Sequence, residues 1–332
     1  MVRRPSARLA PALAALAALA LVVVGVLVLT PAEAPAQQRR TAGYAWDDPR
    51  WRFTHHDRPV KVVLLAGSIG AYRDRPYGRL LHEWCENAEI RNLSQVGQGA
   101  PQLLSRFRSE VLSNPRVPLG APNAEVWLLF GGGLNSVGLP HRTNRAVRRM
   151  FLLAHRRNVR VVAMTLTPWG DDGSDDERWA DGRALHALRS TRTVVDFILG
   201  QASPREALGP FRRERRNVAP DGPWQPSERP DVAIDLYDSR LRARSATPWP
   251  LEDVRRMVEG DAAWRRRHAE LDDAAREEAL EADARFLSQA PRWFLRPEYR
   301  GFDHIHPNRA GHRVIAETAC PRLPESWGCR CP

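Results

Sequence analysis

Lysine is almost absent from this 332-residue chain, in which Lys61 is the only one. The 50 basic residues outnumber the 39 acidic ones, so the formal net charge of +11 is carried almost entirely by arginine. Guanidinium groups pair well with phosphate and carboxylate. The arginines are scattered, however, and the aromatic-basic pattern typical of a nucleic-acid module is missing. We therefore expect no nucleic-acid partner.

Long apolar runs are scarce as well, and the one that stands out, Leu9–Leu29, follows a positively charged N-terminus. Its 21 residues are enough to span a bilayer. The small-x-small pattern at 34–36 fits a signal-peptidase site. No cysteine follows the run, which excludes a lipobox. We predict that residues 1–36 are a signal peptide or an N-terminal membrane anchor. In either case the rest of the chain is exported, and it is periplasmic, secreted or anchored to the membrane.

Cysteine occurs only four times, as Cys85, Cys320, Cys329 and Cys331. In an exported protein these residues allow two disulfides in three pairings, and the sequence leaves the pairing open, with free buried thiols as the alternative. A bridge from Cys85 to the C-terminal cluster is reasonable if the first and last helices share one face of a sheet. The Cys329-x-Cys331 spacing is shorter than that of zinc-binding pairs, so we expect no metal there.

Strand and helix patterns alternate along most of the chain. Short apolar segments predict five strands: Val62–Ala66, Glu89–Leu93, Val126–Phe130, Val159–Leu166 and Val232–Leu236. Amphipathic segments predict helices: Tyr77–Asn87, Arg145–Arg157, Ala184–Leu199 and Asn308–Ala319. This alternation predicts an α/β fold with about five parallel strands, a flavodoxin-like, doubly wound three-layer sandwich.

Composition suggests how the exported part is divided. Residues 37–59 are polar and aperiodic, and we predict a linker there, followed by one domain over 60–332. Within that domain, 249–300 starts with prolines and continues as charged helical sequence, which predicts a helical insertion that covers the site like a cap. Residues 320–332 form a cysteine-containing tail.

Two segments carry candidate catalytic chemistry. Ser68 follows an apolar strand directly and has glycines on either side, so its hydroxyl can be exposed at the carboxyl edge of a sheet. Asp303 and His306 are three residues apart just before a helix, so the carboxylate can orient the imidazole as a base. His304 and His312 lie beside them. A zinc site is disfavoured because no second carboxylate-histidine cluster completes it.

Four blocks occurring in order resemble the SGNH (GDSL-like) hydrolase superfamily. The blocks are Ala66–Ile69, Asn92–Gly97, Gly133–Ser136 and Asp303–Pro307. They match the family's Gly-Asp-Ser-Leu, loop glycine, Gly-x-Asn-Asp and Asp-x-x-His-Pro motifs. The Gly-x-Ser-x-Gly elbow of α/β-hydrolases is missing. The resemblance implies the SGNH hydrolase fold over about residues 60 to 319.

The resemblance also implies roles for individual residues. Ser68 would be the nucleophile, His306 the base, and Asp303 the group that orients it. The oxyanion would be bound by the amides of Ser68 and Gly97 and by the side chain of Asn135. No metal or cofactor is implied.

Three positions depart from the family pattern, because Gly67 and Ser136 replace aspartates and Ala66 replaces a glycine. None of these positions belongs to the triad or the oxyanion hole. The function we expect is an exported serine carboxylic-ester hydrolase that works through an acyl-serine and deacetylates a carbohydrate or another small ester. The alternatives are an O-acetyltransferase acting on envelope polysaccharide, a lipase, and a non-catalytic carbohydrate-binding protein of the envelope.

Overall fold

The first strand, β1 (Val60–Ala66), is buried along its whole length, as expected for the centre of a parallel sheet. The computed structural model describes residues 52–170, 178–210 and 222–332. The predicted leader at 1–36 and the linker residues 37–51 lie outside these ranges. In the part of the chain that is described, no helix is long and apolar enough to cross a bilayer.

Five parallel strands form one sheet in the order β2-β1-β3-β4-β5. The other strands are β2 (Ala88–Asn92), β3 (Glu125–Gly131), β4 (Arg160–Met164) and β5 (Val232–Ile234). The start of β1 is paired with the start of β2 on one side and of β3 on the other, so their carboxyl ends meet at one edge. This order confirms the predicted flavodoxin-like, doubly wound sheet.

Helices cover both faces of the sheet. They are α1 (Tyr77–Trp84), α2 (Ala100–Arg106), α3 (Pro140–His155), α4 (Arg183–Leu199), α5 (Pro204–Leu208), α6 (Leu251–Gly260), α7 (Ala262–Arg267), α8 (Asp273–Ser288) and α9 (Arg309–Ala319). Alternate residues of β1 point into two separate cores. Val62 and Leu64 pack with α1 and α9, whereas Val63 and Leu65 pack with α2, α3 and α4. The three-layer sandwich is therefore confirmed, with α1 and α9 on one face.

Helix α2 is not predicted by the sequence pattern. It continues into a π-helical turn at Phe107–Leu112. Gly99 and Pro101 at its start resemble a loop, but proline is tolerated in the first helical turn, where its missing N–H costs no bond. Phe107 is fully buried and fixes the segment on the sheet.

The insertion at 249–300 is helical as predicted, and its charged part is divided into two helices, α7 and α8. Asp272 accepts a bond from the amide of Ala275 and starts α8 afresh. The insertion packs on α4, where Arg189 pairs with Asp283 and the Trp264 indole donates to the same carboxylate at 2.8 Å. None of the described hydrogen bonds of α6, α7 or α8 reaches Ser68, so these contacts do not support a cap over the site.

A disulfide attaches the C-terminal tail to the end of α1. Cys85 is bonded to Cys329, and Cys320 to Cys331. The first bridge confirms the expected link between Cys85 and the C-terminal cluster. Trp327, which belongs to the tail, is fully buried. The last residues of the predicted linker also contact the domain, because the backbone N–H of Thr54 donates to Glu89 on β2.

Candidate active site

Ser68 lies two residues after the end of β1 and is half-buried at the carboxyl edge of the sheet. The chain turns sharply here, since the amide of Ala71 donates to the carbonyl of Gly67 at 3.1 Å. The turn keeps Ser68 from continuing the strand. The serine hydroxyl is consequently placed where ligands bind in doubly wound sheets.

Asp303 and His306 share the loop before α9 and are joined to Ser68 by two hydrogen bonds. His306 Nδ1 lies 2.8 Å from Asp303 Oδ2, and His306 Nε2 lies 2.8 Å from Ser68 Oγ. Asp303 Oδ1 accepts the backbone amides of Ile305 and His306 at 2.8 and 2.7 Å. The carboxylate therefore fixes both the loop and the imidazole ring, and Nε2 is left to face the serine.

The electrostatics of Asp303 suit this role. Partial burial acts to raise the pKa of Asp303, but the hydrogen bonds from the backbone and ring of His306 and from the Ile305 amide outweigh it, and the net pKa lies below its ordinary value. The carboxylate is ionised at neutral pH, so it can stabilise an imidazolium ion on His306.

The predicted oxyanion donors gather around the residue before the nucleophile. Asn135 lies on a 3-10 turn after β3, and its Nδ2 donates to the carbonyl of Gln98 at 3.2 Å. A Cβ at Gly67 would lie 2.8 Å from that Nδ2, so the missing side chain leaves room for the amide. Gly97 has φ +76°, a conformation that glycine adopts without strain. In the described residues, the backbone N–H groups of Ser68 and Gly97 donate no hydrogen bond.

Ser136, which replaces the third-block aspartate, holds the Asn135 turn in place. Its hydroxyl donates to the carbonyl of Gly133 at 3.1 Å and accepts from the amide of Ala100 at the start of α2. Thr143 on α3 donates to the same hydroxyl at 2.8 Å. Three segments are thereby tied to one short side chain, which accounts for the departure from the family pattern.

A small cavity of about 20 Å³ lies at the carboxyl ends of β1, β3, β4 and β5. Ile69 and Leu134, the neighbours of Ser68 and Asn135, line it, together with mostly apolar side chains of the two cores. Thr167 also lines it, and its buried hydroxyl has no hydrogen-bond partner in the described part of the chain. The volume is near the minimum that holds one water molecule, about 10–15 Å³.

Sequence reasoning missed the aromatic contacts of Phe302 and His312. Phe302 is 82% exposed and its ring stacks on that of His306 at a centroid distance of 4.8 Å. His312 on α9 is fully buried, and its ring stacks on those of Tyr72 and Tyr77. Burial lowers the pKa of His312 to about 4, and His306 adds to this effect. The position of Phe302 next to the motif aspartate was a usable signal, whereas the position of His312 beside the motif gave no sign of its burial.

Residues after β4 also support the triad loop. Trp169 is buried, and its indole donates to Thr191 at 3.0 Å. The carbonyl of His304 accepts the amide of Gly170, which ties the triad loop to the end of β4. Among the described residues, no three His, Cys, Asp or Glu side chains converge in a way that could hold a metal ion.

Comparison with known proteins gives one close relative by sequence. The chain is 30% identical over 155 residues to a GDSL lipase of Mycobacterium tuberculosis, an alignment covering 43% of this chain and 62% of the relative. The chain thus spans less than two thirds of that relative's length. No protein-family model matches the sequence.

Solved structures resemble the chain only distantly. A lipolytic G-D-S-L family protein from Veillonella parvula has 12% identity and a TM-score of 0.41, covering 78% of this chain and 96% of that protein. A catalytic mutant of the acetylxylan esterase Axe2 from Geobacillus stearothermophilus has 13% identity and a TM-score of 0.41, covering 82% and 97%. At TM-scores below 0.5 these likenesses support no conclusion.

The resemblance to the SGNH (GDSL-like) hydrolases is carried by sequence and geometry together. The four blocks occur in the family order, and Ser68, His306 and Asp303 are joined by consecutive hydrogen bonds. The GDSL lipase is similar over 155 residues. The chain therefore resembles this superfamily in its motifs and in the geometry of its triad.

Proposed function

We propose that this chain is a serine ester hydrolase that works through an acyl-serine intermediate. The observation that carries the proposal is the hydrogen-bonded series Ser68–His306–Asp303. In the first step Ser68 Oγ attacks the ester carbonyl carbon while its proton moves to His306 Nε2. The leaving alcohol takes that proton as the tetrahedral intermediate collapses. Water then attacks the acyl-serine while His306 removes a proton from it. That proton passes to Ser68 Oγ as the bond between Ser68 and the acyl group breaks and the carboxylic acid leaves.

Three groups are proposed to hold the negative charge that develops on the carbonyl oxygen. They are the backbone N–H groups of Ser68 and Gly97 and the side-chain amide of Asn135. Within the described ranges neither backbone donor makes a hydrogen bond, and Asn135 has one long bond to Gln98 that it can exchange for the oxyanion. Preorganised donors of this kind act on charge that exists only in the transition state.

A short acyl group, acetyl in particular, is the proposed acyl part. The cavity beside Ile69 and Leu134 has room for little more than a methyl group, which favours acetate over a long acyl chain. Lipase activity on long-chain esters, as the name of the mycobacterial relative suggests, is less well supported for the same reason. A carbohydrate as the alcohol part is proposed from the family resemblance and the predicted export of the chain.

Hydrolysis is favoured over acyl transfer by the exposure of the site. An O-acetyltransferase must keep water from the acyl-serine, whereas His306 and Asp303 retain 19% and 26% of their side-chain exposure. A purely binding role is disfavoured by the 2.8 Å separation of Ser68 and His306.

The test is hydrolysis of p-nitrophenyl acetate and butyrate by the full-length protein. We expect turnover that falls by more than about 10³-fold in both Ser68→Ala and His306→Ala. The exposed Ser113→Ala is the matched control and should keep wild-type rates. A fluorophosphonate should label the wild-type protein and not Ser68→Ala. No turnover and no labelling by a folded wild-type protein would remove the proposal.

Export is proposed on the N-terminal sequence alone. Fractionation of producing cells should find the protein outside the cytoplasm. A mature N-terminus at Gln37 would identify a cleaved signal, whereas residues 1–36 retained in the membrane fraction would identify an anchor. Accumulation of the intact chain in the cytoplasm would contradict the proposal.

A further inference from the structure

A groove of about 770 Å³ lies on the face of the molecule formed by α3, α4 and the end of α7. Four arginines and two histidines line it, and no acidic side chain does so among the described residues. The arginines relevant to its chemistry are Arg142 on α3, Arg189 on α4 and Arg267 at the end of α7. Arg142 and Arg267 are 125 positions apart in the sequence, so only the fold brings the charges together.

Part of the positive charge of the groove has no acidic partner among the described residues. Within that part of the chain Asp283 pairs with Arg189, and its other oxygen accepts the Trp264 indole. Burial lowers the pKa of Arg189, and the nearby charge of Arg267 lowers it further despite the attraction of Asp283. Within the described residues, the guanidinium groups of Arg142 and Arg267 make no ion pair and no hydrogen bond. These two side chains are therefore available to a ligand.

The groove starts close to the proposed oxyanion hole. Gly138 and Leu139 line it, and they follow the Asn135 turn directly. Three Cα–Cα steps separate Asn135 from Gly138, which limits their separation to about 11 Å. The carbonyl of Gly138 lies 3.1 Å from His186 Nε2 on the opposite wall, and the amide of Leu139 donates to Ser136. These hydrogen bonds hold the backbone of the residues that connect the site to the groove.

We propose that this groove binds an anionic stretch of the ester substrate itself, so that the alcohol part is a polysaccharide bearing carboxylate or phosphate groups. The inference rests on the proposed ester hydrolysis and adds to it the substrate class. Guanidinium groups match the oxygens of both anions in geometry and charge. A chain that passes Gly138 enters the groove while its acetyl ester lies at Ser68. The concave shape suits a flexible chain better than the flat surface of a bilayer.

The test compares Arg142→Gln/Arg267→Gln with the control Arg149→Gln/Arg156→Gln. The control changes the net charge equally, and its arginines are exposed on or just after α3 but do not line the groove. Substrates are an O-acetylated polyuronate, an O-acetylated poly(glycerol phosphate), an O-acetylated neutral glycan of similar length, and p-nitrophenyl acetate. Comparing the first two polymers identifies carboxylate or phosphate as the bound group.

We expect the KM of the groove variant for an anionic polymer to rise about 3- to 20-fold, as two exposed charge pairs allow. The values for the neutral glycan and for p-nitrophenyl acetate should change less than about 2-fold, and the control variant should resemble wild type. Wild-type KM on the anionic polymer should also rise with salt, and the groove variant should lose part of that dependence.

Two results would overturn the inference. One is an unchanged KM for both anionic polymers in the groove variant, and the other is an equal rise in the control, which would reflect overall charge. Loss of binding to anionic phospholipid vesicles with no change on the polymers would assign the groove to a membrane surface instead. Failure of the proposed hydrolysis is seen separately, as no turnover of p-nitrophenyl acetate. In that case binding of the deacetylated polymers, measured by calorimetry on both variants, still tests the groove.

Discussion

Replacing His312 by phenylalanine should make the protein less sensitive to acid. His312 is fully buried on α9, and its ring stacks on that of Tyr72 at a centroid distance of 4.3 Å and on that of Tyr77 at 5.9 Å. Neither ring nitrogen has a hydrogen-bond partner in the described residues. Phenylalanine keeps a flat ring of similar size and removes both unpaired nitrogens. We therefore expect His312→Phe to fold and to be at least as stable as wild type at pH 7.

The pH dependence follows from the lowered pKa of His312. In the unfolded chain this residue binds a proton near pH 6.5, but burial lowers its pKa in the folded protein to about 4. Between these values the unfolded state binds more protons, so this contribution to stability falls as the pH drops from 6.5 to 4. A span of about 2.5 units at ~1.4 kcal/mol per unit corresponds to a loss of about 3 kcal/mol.

Urea unfolding of both proteins at pH 7 and pH 4.5, with the disulfides intact, measures this difference. Carboxylates that titrate in the same range contribute equally to both proteins and cancel in the comparison. Because pH 4.5 lies within this window, the stability advantage of His312→Phe should be about 2.5 kcal/mol larger at pH 4.5 than at pH 7. A variant of the exposed His56 serves as control and should show no such change. If the stability advantage of His312→Phe is the same at both pH values, His312 does not stay neutral in the folded protein and the reasoning is refuted.

Substitutions at two further positions, Asn135 and Leu134, test the site. Asn135→Ala and the isosteric Asn135→Asp, which has no N–H to donate, should each lower kcat on p-nitrophenyl acetate by about 10²- to 10³-fold with little change in KM. A fall below 3-fold would remove Asn135 from the oxyanion hole. Leu134→Ala enlarges the small cavity and should raise the butyrate-to-acetate ratio of kcat/KM by about 10-fold, close to the selectivity that a methylene or two confers. The half-buried Leu153→Ala on α3 should leave this ratio unchanged, and an equal shift there would contradict the assignment of the cavity to the acyl group.

Much of the fold could be predicted because short segments of the sequence have patterns typical of strands and helices. The apolar run at Val62–Ala66 and its counterparts match β1 to β5 to within a few residues at each end. The break between α7 and α8 had a local signal as well, since Asp272 is a strong helix start. Helix α2 was missed because Gly99 and Pro101 resemble a loop when read alone, and the burial of Phe107 that stabilises the segment depends on a distant sheet.

For the candidate site too, local motifs predicted one part and only the fold decided the other. Ser68, Asn135 and the Asp303–His306 pair each lie in a short motif, which is why their identities could be predicted before their positions. The distance between Ser68 and His306 could not be predicted in this way, because the two partners of this 2.8 Å contact are 238 positions apart in the sequence. The sheet order brings the carboxyl end of β1 to the loop before α9, and that order depends on packing over the whole chain.

The sequence by itself determined the strand and helix pattern, the doubly wound fold class, the identities of the candidate triad residues and an N-terminal segment typical of export. These properties depend on residues a few positions apart, and side-chain periodicity and turn chemistry express them directly. Only the tertiary structure decided that Cys85 pairs with Cys329, that His312 is buried without a partner, and that Arg142 and Arg267 face one groove. Each of these depends on which surfaces pack together, because burial and distance between remote residues are properties of the whole folded chain.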